Sequence, residues 1–107
     1  MNSKLNQMPK NNCNEYLKDE AVVIKAIGHY VRLKLLMAIE VKKCMVKGLV
    51  ECVEEEQPIV SQQLAILRKS RIIEGVKKGN SIYYRIIDPT IKQIVEILAE
   101  KYNKKIS

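Results

Sequence analysis

QPIVSQQLAILRKSRIIEGVKKGNSIYYR, from Gln57 to Arg85, places a helix-patterned run directly before a hairpin-patterned one. In the first half, Val60, Leu64 and Leu67 recur at i, i+4 and i+7, which makes one apolar stripe of an α-helix. Gln62, Ala65 and Lys69 fall on the opposite side of that helix. Pro58 suits the first turn, where a missing N–H costs nothing. In the second half, Ile72 to Lys78 and Ser81 to Ile87 are β-branched and aromatic runs separated by Gly79-Asn80. Both turn residues tolerate positive φ, so the pattern predicts a two-stranded hairpin. A helix with an apolar back and an amide-and-cation front can be held on a core while its front enters a groove. Gln pairs bidentately with an adenine edge, and Arg or Lys with guanine or with phosphate.

Charge follows the same stretch. The chain carries 19 Lys and Arg against 12 Asp and Glu, for a formal net charge of +7. Between Pro58 and Arg85 stand Arg68, Lys69, Arg71, Lys77, Lys78 and Arg85, with Glu74 as the lone acid, so this segment holds +5. A solvated Lys-rich surface is the plainer reading of such a run. Here, however, charge, helical period and turn chemistry coincide, which favours a phosphate-facing surface on double-stranded DNA. We expect Gln62 and Lys69 in the major groove and Ser61 and Gln63 nearer the flanking phosphates. Gln57 and Arg68 are counted on the same DNA-binding side, and Lys77, Lys78 and Asn80 at the hairpin tip are expected on the backbone.

With 107 residues, of which 47% are hydrophobic, the chain has enough for one domain with a modest core. A partner subunit would bury its remaining apolar stripes. Residues 1–14 are polar and read as a flexible arm, and 15–105 as a single DNA-binding and dimerisation domain. Asn14 is a candidate cap for a first helix over Glu15–Ile27, which Gly28 stops. A second helix follows over Tyr30–Glu40, then a connector at Val41-Lys42-Lys43, and a third helix over Met45–Val53. Glu54 to Gln57 forms the turn into the helix at Pro58. After the hairpin, Asp88-Pro89-Thr90 opens a last helix with Ile91, Ile94, Val95 and Leu98 as its stripe. The expected fold is mainly α with a small β-hairpin wing, in the order α-α-α-α-β-β-α. That order describes a winged helix-turn-helix.

No apolar run approaches the ~18 residues that would suggest a membrane span, and the first residues lack a secretory apolar core. The expected compartment is the cytoplasm, with no membrane partner. An enzyme needs a nucleophile with its base, a paired acid or a phosphate loop. The single His, His29, and four Gly in no nucleotide-binding pattern supply none of these. His29, in a Gly-His-Tyr turn, reads as a turn or capping residue before it reads as a metal ligand. The competing non-enzymatic reading is a winged helix used purely as a protein-interaction module, without an inducer site. Salt-dependent binding to duplex DNA separates the two.

AIGHYVRLKLLMAI (26–39) and QPIVSQQLAILRKSRIIEGVKKGNSIYYRI (57–86) together resemble the ArsR/SmtB family of small bacterial repressors, over roughly Glu15 to Leu98. The family's Gln-Pro, Val-Ser, two polar residues and Leu are met by Gln57, Pro58, Val60, Ser61, Gln62, Gln63 and Leu64. Its wing pattern is met by Gly79, Tyr83 and Tyr84. The resemblance implies a homodimer through the first and last helices, two winged helices on a palindromic operator, and release on binding an inducer. The chain also departs from the family. Where many members carry a Cys-x-Cys-Asp-Leu metal box, this one has Met45, Val46, Lys47, Gly48 and Leu49. Its last helix has no His for the family's zinc site, and Glu55 stands where a Gly usually joins the third and fourth helices.

Three cysteines remain. Cys44 and Cys52 lie eight residues apart, about 12 Å along a continuous helix. On such a helix they would neither bridge nor share an ion. Cys52 then reads as a small buried hydrophobe or as the less favoured second thiol. Cys44, at a helix start among Lys42, Lys43 and Lys47, has the setting of an activated thiol. Cys13, in the arm, is either an exposed tail thiol or the second sulfur reaching Cys44. No cofactor is certain. The expected inducer is thiol-reactive or a soft metal or metalloid (arsenite, cadmium or zinc), or a persulfide formed at cysteine.

Overall fold

The computed structural model describes residues 10–106, so most of the expected arm lies outside the described residues. The first helix, α1, spans Lys10–Ile27 and so begins ahead of Asn14, which is an interior residue rather than a cap. Gly28 ends it, its N–H donating to the carbonyls of Ile24 and Lys25. His29 takes extended backbone, and its Nδ1 accepts from the Val31 N–H at 3.1 Å, capping α2 over Tyr30–Met37. The histidine therefore satisfies one of the orphan donors of a helix start.

From Ala38 the chain leaves the expected path. Ala38–Lys42 form a π-helical turn, and Lys43 turns left-handed with φ of 53°. Met45 is extended and bridges Tyr83 of the hairpin. Val46–Gly48 then make a 3-10 turn, and only Leu49–Val53 are α-helical, as α3. The continuous third helix from Met45 is thus corrected to a bridge, a turn and a short helix. Gly48 weakens the helical choice there, and pairing with the hairpin takes up the Met45 backbone.

Glu54 adopts φ of 56°, and α4 runs over Gln57–Lys69 with Pro58 in its first turn. Strands β1 (Ile73–Lys78) and β2 (Ser81–Ile86) pair antiparallel from Ile73↔Ile86 to Lys78↔Ser81. Gly79 carries the turn with φ of 61°, and Asn80 does not need a positive angle. Asp88 caps the last helix, α5, over Pro89–Ile106. Its Oδ1 accepts from the N–H groups of Thr90 and Ile91 at 3.0 and 3.1 Å.

Leu35 and Leu36 of α2, Leu49 of α3, Leu67 of α4 and Ile91 and Val95 of α5 are fully buried together. Burying each such side chain is worth ~1.5–3 kcal/mol relative to leaving it in water. Val60, Leu64 and Leu67 all join this core, so the stripe read from the sequence is the face that holds α4 down. Among the described residues no helix is long and apolar enough to cross a membrane.

Candidate nucleic-acid interface

With Val60, Leu64 and Leu67 fixed inward, helical geometry sends Gln62, Ala65 and Lys69 outward, and all three are exposed. Gln57, Ser61 and Arg68 lie along one flank, also exposed. Arg68 connects this helix to the wing: its guanidinium donates to the Tyr84 hydroxyl at 2.6 Å and lies 6.0 Å from the ring centre. Tyr84 itself packs against the core. One aromatic residue of the wing therefore sets where a cation of the helix stands, a pairing that sequence spacing alone does not reveal. Tyr83, on the other face of β2, has the Lys78 ammonium 5.8 Å from its ring centre.

Two of the basic and polar residues are engaged otherwise. Gln63 is half-buried, and its Oε1 accepts from Arg32 of α2 at 2.6 Å. Arg32 also donates to the Ala26 carbonyl, so one guanidinium ties α4 to the end of α1. Gln63 is thus a strut between helices, in contrast to the exposed Gln62. Arg85 pairs across the strands with Glu74, which removes one charge of each sign from the wing. The cations left facing solvent on this side are Arg68, Lys69, Arg71, Lys77 and Lys78.

Of the three glutamates in the turn before α4, Glu55 is paired with a cation, whereas Glu54 and Glu56 are exposed. The Glu55 carboxylate accepts from the Lys34 ammonium at 2.6 Å, with both side chains roughly three-quarters covered. That hydrogen bond, ahead of the smaller opposing cost of burial, raises the Lys34 pKa above its ordinary value. A raised lysine pKa means the ammonium stays charged at neutral pH, and its contribution is lost as pH climbs through the alkaline range. The residue that takes the left-handed turn is Glu54, one position before the Glu55 that stands at the family's usual Gly.

The cysteines are also rearranged. Cys44 and Cys52 form a disulfide, their Cα atoms 7.2 Å apart rather than the ~12 Å of a continuous helix. The π-helical turn, the left-handed Lys43 and the 3-10 turn fold the chain back and bring the two sulfurs together. Cys13 is on α1, half-buried and outside any disulfide. The second sulfur at Cys44 is therefore Cys52, not Cys13. Among the described residues no three His, Cys, Asp or Glu side chains are gathered to hold a metal.

Residues 30–74 match the family model described as bacterial regulatory protein, arsR family. An uncharacterized HTH-type transcriptional regulator of Methanocaldococcus jannaschii is 31% identical over 80% of this chain and 98% of its own length. The transcriptional repressor BigR from Xylella fastidiosa superposes with a TM-score of 0.72 at 28% identity, covering 89% of this chain and 97% of that one. The antimony-specific transcriptional repressor AntR superposes at 0.65 and 28% identity, over 92% and 88% of the two chains. A winged helix with an outward polar face, a basic hairpin beside it, and these similarities over most of the chain lead to one assignment: the chain belongs to the arsR family of bacterial regulatory proteins and is a DNA-binding transcriptional repressor, not an enzyme.

Proposed function

We propose that the protein binds a palindromic operator as a homodimer in the cytoplasm, and that chemistry at the Cys44–Cys52 pair releases it. The observation that carries the DNA half is the exposed Gln62–Lys69 face of α4 joined to a cationic wing through Arg68 and Tyr84. In this reading Gln62 and Lys69 meet base edges, and Gln57, Ser61 and Arg68 meet the flanking phosphates. Lys77, Lys78 and Asn80 run along the backbone. Gln63 acts through its hold on Arg32. The dimer reading is supported by apolar side chains left exposed on the terminal helices, Leu17, Val22 and Ile24 on α1 and Ile97 and Tyr102 on α5.

The release half is supported by where the two sulfurs stand. Cys52 is in α3, which leads through Glu54 and Glu55 into α4, so any change in the Cys44–Cys52 linkage bears on the placement of the reading helix. A disulfide in a cytoplasmic regulator is typically transient and redox-sensing rather than structural. In the dithiol form the same two sulfurs would suit a thiophilic metalloid such as arsenite, or a polysulfide. When a polysulfide joins them, the two thiols give up two electrons and two protons, and a sulfur–sulfur bond of the polysulfide is reduced.

The test begins with an operator selected from a random duplex pool by the reduced protein. Gln62→Ala should relax base preference at one position per half-site by about 1–3 kcal/mol. Arsenite or polysulfide should release the parent but not Cys44→Ser. A Gln62→Ala protein with unchanged preference removes that residue from the major groove. Equal release of the Cys44→Ser protein removes the thiol pair from induction.

A further inference from the structure

Behind the disulfide lies a cavity of about 540 Å³. It opens between α2, the π-helical turn and the C-terminal half of α5, and Cys52 forms part of its wall. Its size is that of a small-molecule site, ~300–1,000 Å³. Leu33, Met37, Val41 and Tyr102 make the walls apolar, and two lysines, Lys34 and Lys42, supply the charge. None of the side chains lining it is acidic. An apolar chamber whose charged groups are both cationic is complementary to a molecule with an apolar body and an anionic head.

Lys34 gives this cavity a consequence. Its ammonium is held by Glu55 at 2.6 Å and by the face of Tyr30 at 4.4 Å, and Glu55 stands in the turn that starts α4. An anion in the cavity competes with Glu55 for the same cation. If the anion prevails, the turn into α4 loses its side-chain tie to α2 and keeps its packing and its backbone bonds, such as that from the Glu55 N–H to the Val50 carbonyl.

We propose that this cavity is an effector site for a small amphipathic anion, such as a medium-chain carboxylate or an aromatic sulfonate. Its head group takes Lys34 from Glu55 and thereby loosens the reading helix. This rests on the repressor reading above and adds to it a second input, independent of the thiols but acting on the same turn. Ligand and disulfide share Cys52 as a wall, so the two inputs converge on α3.

Two measurements on the full chain test the proposal separately. In the first, without DNA, 8-anilinonaphthalene-1-sulfonate is titrated by fluorescence, and decanoate, decanol and decylamine are used as competitors. The proposal requires saturable binding of one probe per chain, displaced by decanoate and not by decylamine. It requires this to be lost in Val41→Trp, which fills the cavity from an exposed position, and weakened about tenfold in Lys34→Met. Equal displacement by decylamine, or undiminished binding to Val41→Trp, overturns the site. So does binding that appears only on dilution to monomer, because a second copy then fills the cavity.

In the second, saturating decanoate should lower affinity for the selected operator by about tenfold in the parent and not in Val41→Trp. Unchanged operator affinity overturns the effector role. A protein that takes decanoate one to one but binds no duplex at all would instead overturn the repressor reading and leave the anion site standing.

Discussion

The reading helix with its wing and the segment from Ala38 to Val53 are neighbours in one core, yet they are built in opposite ways. Residues 57–86 are three regular elements, a helix and two paired strands, with one inward stripe, a left-handed Arg71 at the junction and a two-residue turn carried by Gly79. Residues 38–53 pass from a π-helical turn through a left-handed lysine, an isolated bridge and a 3-10 turn to a short helix. Regular secondary structure fixes side-chain directions, which a surface that matches DNA requires. The irregular segment is held by a disulfide, a bridge to Tyr83 and four buried side chains, Ala38, Ile39, Leu49 and Val53, with no repeating ladder to fix its path. Under the proposed function, the regular segment is the one that would read DNA and the irregular one is where the thiols would act.

That contrast can be broken most forcefully in the core. Leu67→Ala, which removes a fully buried anchor of the reading helix, should cost about 2–5 kcal/mol in a urea titration. Val50→Ala, at a half-buried position of α3, should cost about 1 kcal/mol. Equal losses at the two sites would mean that both regions are packed alike. The next largest effect is chemical. Reducing the Cys44–Cys52 bond frees a short loop and should lower stability by about 2 kcal/mol. The same reductant should do nothing to Cys44→Ser.

A smaller effect concerns the junction between the two regions. Glu54 is exposed and left-handed, a conformation that costs a side-chain-bearing residue about 1–2 kcal/mol. Glu54→Gly relieves this, and after the added entropy of the unfolded glycine it should gain about 0.5–1 kcal/mol. A loss instead of a gain would show that the glutamate side chain contributes to the turn.

The same contrast explains what was legible in the sequence. The stripe of α4, both strands, the turn at Gly79 and the capping at His29 and Asp88 depend on neighbours a few residues away, so local pattern finds them. The fold of 38–53 depends on Met45 meeting Tyr83 and on Cys44 meeting Cys52, and neither meeting leaves a periodic trace. Treating Met45–Val53 as one continuous helix, with Cys44 at its start, separated the two cysteines and promoted Cys13 as the second thiol. In the site, exposure of Gln62 and Lys69 followed from the stripe opposite them. The engagement of Gln63 by Arg32, of Glu55 by Lys34 and of Arg68 by Tyr84 did not, because each joins residues far apart in sequence.

The central claim is that the α4–wing surface carries the contacts to duplex DNA, and salt dependence tests it without knowledge of the operator. Affinity for a duplex should fall linearly with salt on logarithmic axes, and Lys77→Gln/Lys78→Gln should flatten that slope by about 2. Lys104→Gln/Lys105→Gln serves as the control, at the far end of α5 and about 20 Å along that helix from where it leaves the wing. The account predicts an unchanged slope for the control and a flattened one for the wing. Identical slopes for parent and wing variant, or flattening in the control alone, would contradict it.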